Sequence, residues 1–299
     1  MAKNDEHHGQ QGPGAAGNRG AQHVAEHAQE PADSPVDQAG LVSPDPWRHL
    51  RNFTRARIAL GRVGSSLPTK EVLDFGLSHA MARDAVHLAL DVEALSAALE
   101  AQGFDKPIQV HSRALDRASY LLRPDLGRKL DDQGYQALQA AAPVGPIDLL
   151  LVVGDGLSSL AVERHVLPLL AEIRNGLPPD WKLGPLVIAS QARVALADEI
   201  GELLRVRLVA MLIGERPGLS SPDSLGIYLT YEPRLGRHDA ERNCISNVRP
   251  EGLGYAAAAR KLLWLAQESL RLKVSGVALK DESDTVVIAE QPPLKLTAN

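Results

Sequence analysis

In the second half of the chain, apolar residues gather into short runs with little polar alternation: residues 147–153 (IDLLLVV), 186–189, 208–213 and 225–233 (LGIYLTYEP). Runs of this length and purity predict strands buried on both faces, as in a parallel sheet flanked by helices. Between them the period changes. Ser158 or Ser159 can cap a helix, and Val162, Val166, Leu169 and Leu170 follow at helical spacing. Ala197, Ile200, Gly201 and Leu204 share a second helical face, and a long helical pattern runs from about Tyr255 to Lys273, with Gly276 as its stop. Strands alternating with helices predict βαβ units, and therefore an α/β fold with a parallel sheet. The run 208–213 breaks abruptly into Gly214, Glu215, Arg216, Pro217 and Gly218. That places a carboxylate and a guanidinium at the carboxyl end of a buried strand, the edge at which open α/β sheets bind ligands.

The first half reads differently. Residues 1–45 are rich in Gly, Gln, Ala, His and Pro and contain no aromatic residue. Such a segment cannot bury enough apolar surface to offset chain entropy, which predicts a disordered tail. Its four histidines (His7, His8, His23, His27) read as solvated tail residues rather than metal ligands. From Trp47 to about residue 90, two helical patterns are separated by a Gly-Ser-Pro break, with Thr69 as the expected N-cap of the second and Leu73, Leu77 and Ala80 on its apolar face. The first pattern is basic, with Arg48, Arg51, Arg55, Arg57 and Arg62, and reads as a solvated face or a surface for an acidic protein partner. Residues 91–140 read as short helices and connectors. The Pro-containing stretch 143–146 marks a boundary. The predicted division is thus a tail (1–45), a small helical region (46–142), an α/β domain (143–280) and a charged C-terminal tail (281–299).

Composition narrows the function. At 299 residues the chain can bury a substantial core without staples. Its single cysteine, Cys244, excludes an intrachain disulfide and a cysteine-based zinc site, and fits a reducing cytoplasm. A net charge of −5, with three Phe, three Trp and five Tyr, argues against nucleic-acid binding. No run approaches the roughly 20 apolar residues that span a bilayer, and the polar, acidic start is not a secretory signal.

Candidate chemistry is sparse. The GDGLSS turn (154–159) departs from the dinucleotide fingerprint, because Ser159 stands at the third glycine and no carboxylate follows the second strand at Ser190, Gln191, Ala192 and Arg193. A nicotinamide oxidoreductase is therefore disfavoured. There is no G-x-S-x-G elbow, H-E-x-x-H or Walker loop. His79 and His87 read as structural imidazoles, and Cys244, with no histidine close by in sequence, as an inert thiol. Glu215, by its place at a strand's carboxyl end, is the best functional candidate. No catalytic residue and no metal ligand is expected from this chain alone.

Several separated stretches in fixed order carry a resemblance: TRARIALGR, LLRPDLGRKL, DGLSS, GERPGL and ERNCISN. Together, from about residue 47 to residue 278, they resemble the small (light) subunit of ethanolamine ammonia-lyase. The resemblance implies a Rossmann-like domain that covers adenosylcobalamin, a helical N-terminal part that grips a large subunit, and a hetro-oligomeric lyase that converts ethanolamine to acetaldehyde and ammonia by radical chemistry. The large subunit, a TIM barrel, would hold the substrate and most catalytic groups. The family's cobalamin-contacting positions carry over to Val194, Glu215 and Cys244. The pattern D-x-H-x-x-G is missing, so the cofactor's own benzimidazole is expected to stay on cobalt. A cytoplasmic location is implied, with enclosure in a bacterial microcompartment left open. The rival from another class is a non-catalytic corrin-binding or assembly module, which would bind cobalamin or the large subunit without being needed for turnover.

Overall fold

The structure, a computed structural model, describes residues 40–284. The expectations for residues 1–39, including the four tail histidines, and for residues 285–299 lie outside the described residues.

Six strands form one sheet: β1 (Ile108–His111), β2 (Ile147–Gly154), β3 (Val187–Ser190), β4 (Val206–Gly214), β5 (Leu225–Tyr231) and β6 (Arg242–Val248). Their order is β1-β3-β2-β4-β5-β6. The pairs β1–β3, β3–β2 and β2–β4 are parallel, whereas β5 is antiparallel to β4 and β6 antiparallel to β5. The fold is therefore mixed α/β, and the expectation of a wholly parallel sheet is corrected. The physical reason is the connection after β4. It runs from Glu215 to Ser224 without a helix, and a parallel return needs a crossover of a dozen or more residues, usually helical.

The α-helices are α1 (Thr69–His87), α2 (Val92–Ala101), α3 (Arg117–Leu122), α4 (Asp132–Ala140), α5 (Ser159–Gly176), α6 (Leu196–Leu203) and α7 (Tyr255–Leu272). Helices α2, α5 and α7 cover one face of the sheet, packing on Leu149, Leu151, Val153, Leu208, Ala210 and Leu212. Helices α4 and α6 cover the other, packing on Leu150, Val152, Val209, Met211 and Ile213. With both faces buried, consecutive side chains from Leu149 to Val153 in β2 and from Leu208 to Ile213 in β4 are all apolar, which is why these strands read as unbroken runs. Ser158 caps α5 by accepting from the Ala161 N–H, as its position predicts. Lys273 closes α7 in the left-handed conformation at φ 59°.

The N-terminal part diverges from its sequence pattern in two ways. The stretch expected to be short helices and connectors supplies the edge strand β1, which pairs with β3. The basic pattern after Trp47 forms only a 3-10 turn, Arg48–Asn52, with no buried residue. Helix stability in proteins comes chiefly from packing an apolar face, and here no core lies beneath the segment. Helix α1 forms where expected, although Pro68 rather than Thr69 takes the cap position, and Ala85 is its only buried residue. Its stripe faces outward, with Leu73 67% and Leu77 62% exposed, and nearby Phe53 is 83% exposed.

Candidate functional site

From β2 the chain moves through α5 to β3 on one side, and from α6 it returns to β4 on the other side of β2. The carboxyl ends of β2 and β4 therefore form the switch point where loops diverge, which is where open α/β sheets hold ligands. A cleft of about 410 Å³ opens there, with Gly156 and Leu157 after β2, Val194 after β3, and Gly214, Glu215 and Arg216 at the end of β4. Its walls meet backbone to backbone. The Leu157 N–H donates to the Gly214 carbonyl at 2.9 Å, and Gly156 holds φ +58°, where a Cβ would collide with that same carbonyl oxygen. Glycine is required at this position for both conformation and space.

Asp155, 3% exposed, ties the ends of β2 and β3 together. Its carboxylate accepts from the backbone N–H groups of Gly156, Gln191 and Ala192, each at 2.9 Å. Burial pushes this carboxyl up, against the pull of Ala192 and of Arg117, which lies 3.5 Å away. Arg117 also donates to the carbonyls of Val86 at 2.6 Å and Gly156 at 2.8 Å. Two guanidiniums lie over the Tyr120 ring, with Arg117 Cζ 4.7 Å and Arg193 Cζ 4.1 Å from its centroid. Each such contact contributes on the order of 0.5–2 kcal/mol. Burial raises the Tyr120 phenol, and its O–H donates to the Ala192 carbonyl at 3.0 Å. The loop carrying LLRPDLGRKL is tied to the turn after β3, where the Gly127 carbonyl accepts from the Arg193 N–H at 2.8 Å.

Glu215 is half-buried at the mouth. Its Oε2 accepts from Ser224 Oγ at 2.6 Å and from the Asn247 N–H at 3.1 Å, so one carboxylate clamps the start of β5 to the end of β6. Val194 and Glu215 line the same cleft, although they follow β3 and β4, which are separated by β2 rather than adjacent. Cys244 is not a wall residue. It sits exposed on β6, directly opposite Tyr228 of β5, and Tyr228 does line the cleft. Burial pushes both the Cys244 thiol and the Tyr228 phenol up, so both are neutral.

The site residues that the sequence did not reveal are Arg117, Tyr120, Arg193 and Tyr228. Arg117 and Tyr120 belong to a helix of six residues far in sequence from the strands, with no local signal that brings them to the sheet's end. Arg193 had one available signal, since it adjoins Val194 immediately after β3.

A larger hollow of about 870 Å³ lies between the 3-10 turn and the start of α1. It is framed by the exposed N-terminal segment folding back on itself, and Arg51 and Glu71 pair across it at 2.9 Å. Among the described residues, no group of three or more His, Cys, Asp or Glu could hold a metal ion, and no helix is long and apolar enough to cross a membrane.

Residues 44–280 match the family described as "Ethanolamine ammonia-lyase light chain". The chain is 55% identical over 259 residues to the ethanolamine ammonia-lyase small subunit of Ralstonia nicotianae, covering 86% of this chain and 96% of the relative. It is 55% identical over 257 residues to the same-named protein of Pseudomonas syringae pv. tomato, covering 84% and 89%. It is 55% identical over 252 residues to that of Pseudomonas aeruginosa strain UCBPP-PA14, covering 83% and 92%.

Proposed function

Because the chain belongs to the family of ethanolamine ammonia-lyase light chains, we propose that it is the small subunit of an adenosylcobalamin-dependent ethanolamine ammonia-lyase and covers the corrinoid while a large subunit supplies the substrate site. It is a lyase subunit by family. The four parallel strands with their helices constitute the Rossmann-like unit of this reading. The observation that carries it is the convergence of Val194 and Glu215 on one cleft at the sheet's switch point, with Cys244 behind Tyr228.

The residues present fit a corrinoid, a broad and mostly apolar disc with amide arms. Val194, Leu157 and Ile213 offer apolar contact. Glu215 keeps acceptor capacity for an amide N–H, since a carboxylate has about four lone-pair sites and three of its contacts are internal. At about 410 Å³ the cleft is near the lower end for ligand sites, so this chain seats one side of the disc only. When bound, the cofactor would supply the radical through its cobalt–carbon bond. The chain's own residues bind, orient and exclude water. The exposed apolar side chains of α1 and the preceding segment, among them Phe53, Leu73 and Leu77, support docking of a large subunit, because such a patch is unusual on a monomer.

The test is reconstitution. Acetaldehyde is expected from ethanolamine and adenosylcobalamin only when both chains are mixed, and turnover by this chain alone sinks the reading. Full turnover by the large subunit alone would favour the assembly-module reading instead. Glu215→Ala is expected to weaken cobalamin binding to the assembled complex on the order of ten-fold, the equivalent of about one charge-assisted hydrogen bond. The change is to be read from the visible spectrum, with the chain still folded by circular dichroism.

A further inference from the structure

Two arginines line the cleft without an acidic partner. Arg117, Arg164, Arg207 and Arg242 each pair with a carboxylate, namely Asp155, Asp223, Asp148 and Asp198. Arg193 and Arg216 have no such pair among the described residues. Arg193 is held rigidly. Its Nη2 donates to the Tyr120 carbonyl at 3.0 Å, its plane lies over the Tyr120 ring, and its Nε is buried with no acceptor. Arg216 is exposed and hydrogen-bonds to no described residue. Around the cleft, the guanidiniums Arg117, Arg193 and Arg216 face the carboxylates Asp155 and Glu215, leaving one positive charge in excess. The Asp155 charge is engaged by Arg117 and three N–H groups, and that of Glu215 by Ser224 and Asn247. A partly buried cation without a counter-ion is costly, and a guanidinium's fixed fork matches phosphate geometry.

We propose that Arg193 and Arg216 form an anion seat for the phosphate of the corrinoid's nucleotide loop, with Arg193 as the fixed wall and Arg216 as the arm that closes on it. The inference rests on the corrinoid reading. It goes further by assigning the phosphate-bearing part of the ligand to the mouth between β3 and β4, which fixes how the disc is turned.

The experiment titrates the assembled two-subunit complex with three corrinoids: cobinamide, which lacks the phosphate; cobinamide phosphate, which has it but lacks the ribose and base; and cobalamin. Binding is read by visible absorbance, with Arg216→Gln, Arg216→Lys and Arg193→Gln beside the natural chain. Arg216→Gln is expected to weaken cobalamin and cobinamide phosphate on the order of ten-fold and to leave cobinamide unchanged. Arg216→Lys should restore part of the loss, and inorganic phosphate should compete with the two phosphate-bearing ligands only. Arg193→Gln should show the same ligand pattern, though this substitution also releases Tyr120. Equal losses for all three ligands, or no loss, overturn the seat. Weaker inorganic-phosphate binding with unchanged cobinamide phosphate would assign the arginines to a free anion and likewise overturn it. If no corrinoid binds the natural complex, the corrinoid reading itself has failed.

Discussion

Asp198→Ala is expected to lower the unfolding free energy by about 3–5 kcal/mol. Asp198 in α6 and Arg242 in β6 form an ion pair at 2.7 Å, with side chains only 3% and 2% exposed. Removing the carboxylate leaves a buried guanidinium hydrogen-bonded to the Thr230 hydroxyl at 3.3 Å and the Arg237 carbonyl at 2.8 Å, with the exposed Asp239 carboxylate at 3.5 Å as its remaining charged neighbour. The pair also bolts α6, whose entry carries Val194, to the strand that carries Cys244. Loss of corrinoid binding should therefore accompany loss of stability. The pair has a pH signature. Burial, outweighing the Arg242 hydrogen bond, pushes the Asp198 carboxyl up to about 6 from its ordinary 3.8. Between these values the folded chain retains a proton that the unfolded chain has released. The contribution is thus fully present below the lower value and is lost as pH rises through the upper one. Asp198→Asn, which keeps an acceptor for Arg242, should cost less than Ala and flatten that part of the stability profile. Urea denaturation at a series of pH values measures both. A cost below about 1 kcal/mol for the Ala variant would mean that Arg242 finds water or another partner.

Gly156→Ala is the second large effect. At φ +58° an L-residue gives up about 1–2 kcal/mol. The added methyl also meets the Gly214 carbonyl oxygen and Ile213 Cγ1, an overpacking that costs about 1–3 kcal/mol more. The sum, roughly 2–5 kcal/mol, would be relieved only by parting the turn after β2 from the end of β4, which opens the cleft along its floor. Gly156→Asn separates the two causes, because Asn tolerates the left-handed region while still carrying a Cβ. If Asn restores stability fully, conformation alone is responsible. If it restores only part, the remainder measures contact between the two walls. If neither variant shifts the urea midpoint, the loops do not touch in solution.

How much of this was legible in the sequence depended on burial. Strands β2, β3, β4 and β5 stood out because covered faces demand continuous apolar residues. Strand β1 did not, since it has four residues at a sheet edge and only Val110 fully buried. Strand β6 was hidden for a related reason. Its buried positions are Arg242, Ile245 and Val248, every third residue, because the pairing shifts register near Gly226 and an arginine occupies an inward position through its ion pair. The apolar stripe of α1 was legible, but nothing in the sequence said that its own chain would leave it uncovered. At the site, Glu215 was marked by the break after β4. The Arg117–Tyr120–Arg193 stack was not, because stacking across distant segments leaves no spacing signal.

The strand order also governs how this chain reaches its native state. Hairpin β4–β5–β6 closes over short connections and can zip early, whereas β2 finds β4 only after α5, β3 and α6 have been laid down between them. Long-range parallel pairing pays its loop-closure entropy before any contact rewards it. The mouth between Gly154 and Gly214 is bounded by that long-range pairing, which predicts that it forms late in folding. A ligand seated there can trap the finished chain but cannot template its assembly. Added cofactor should accordingly slow unfolding while leaving the refolding rate unchanged.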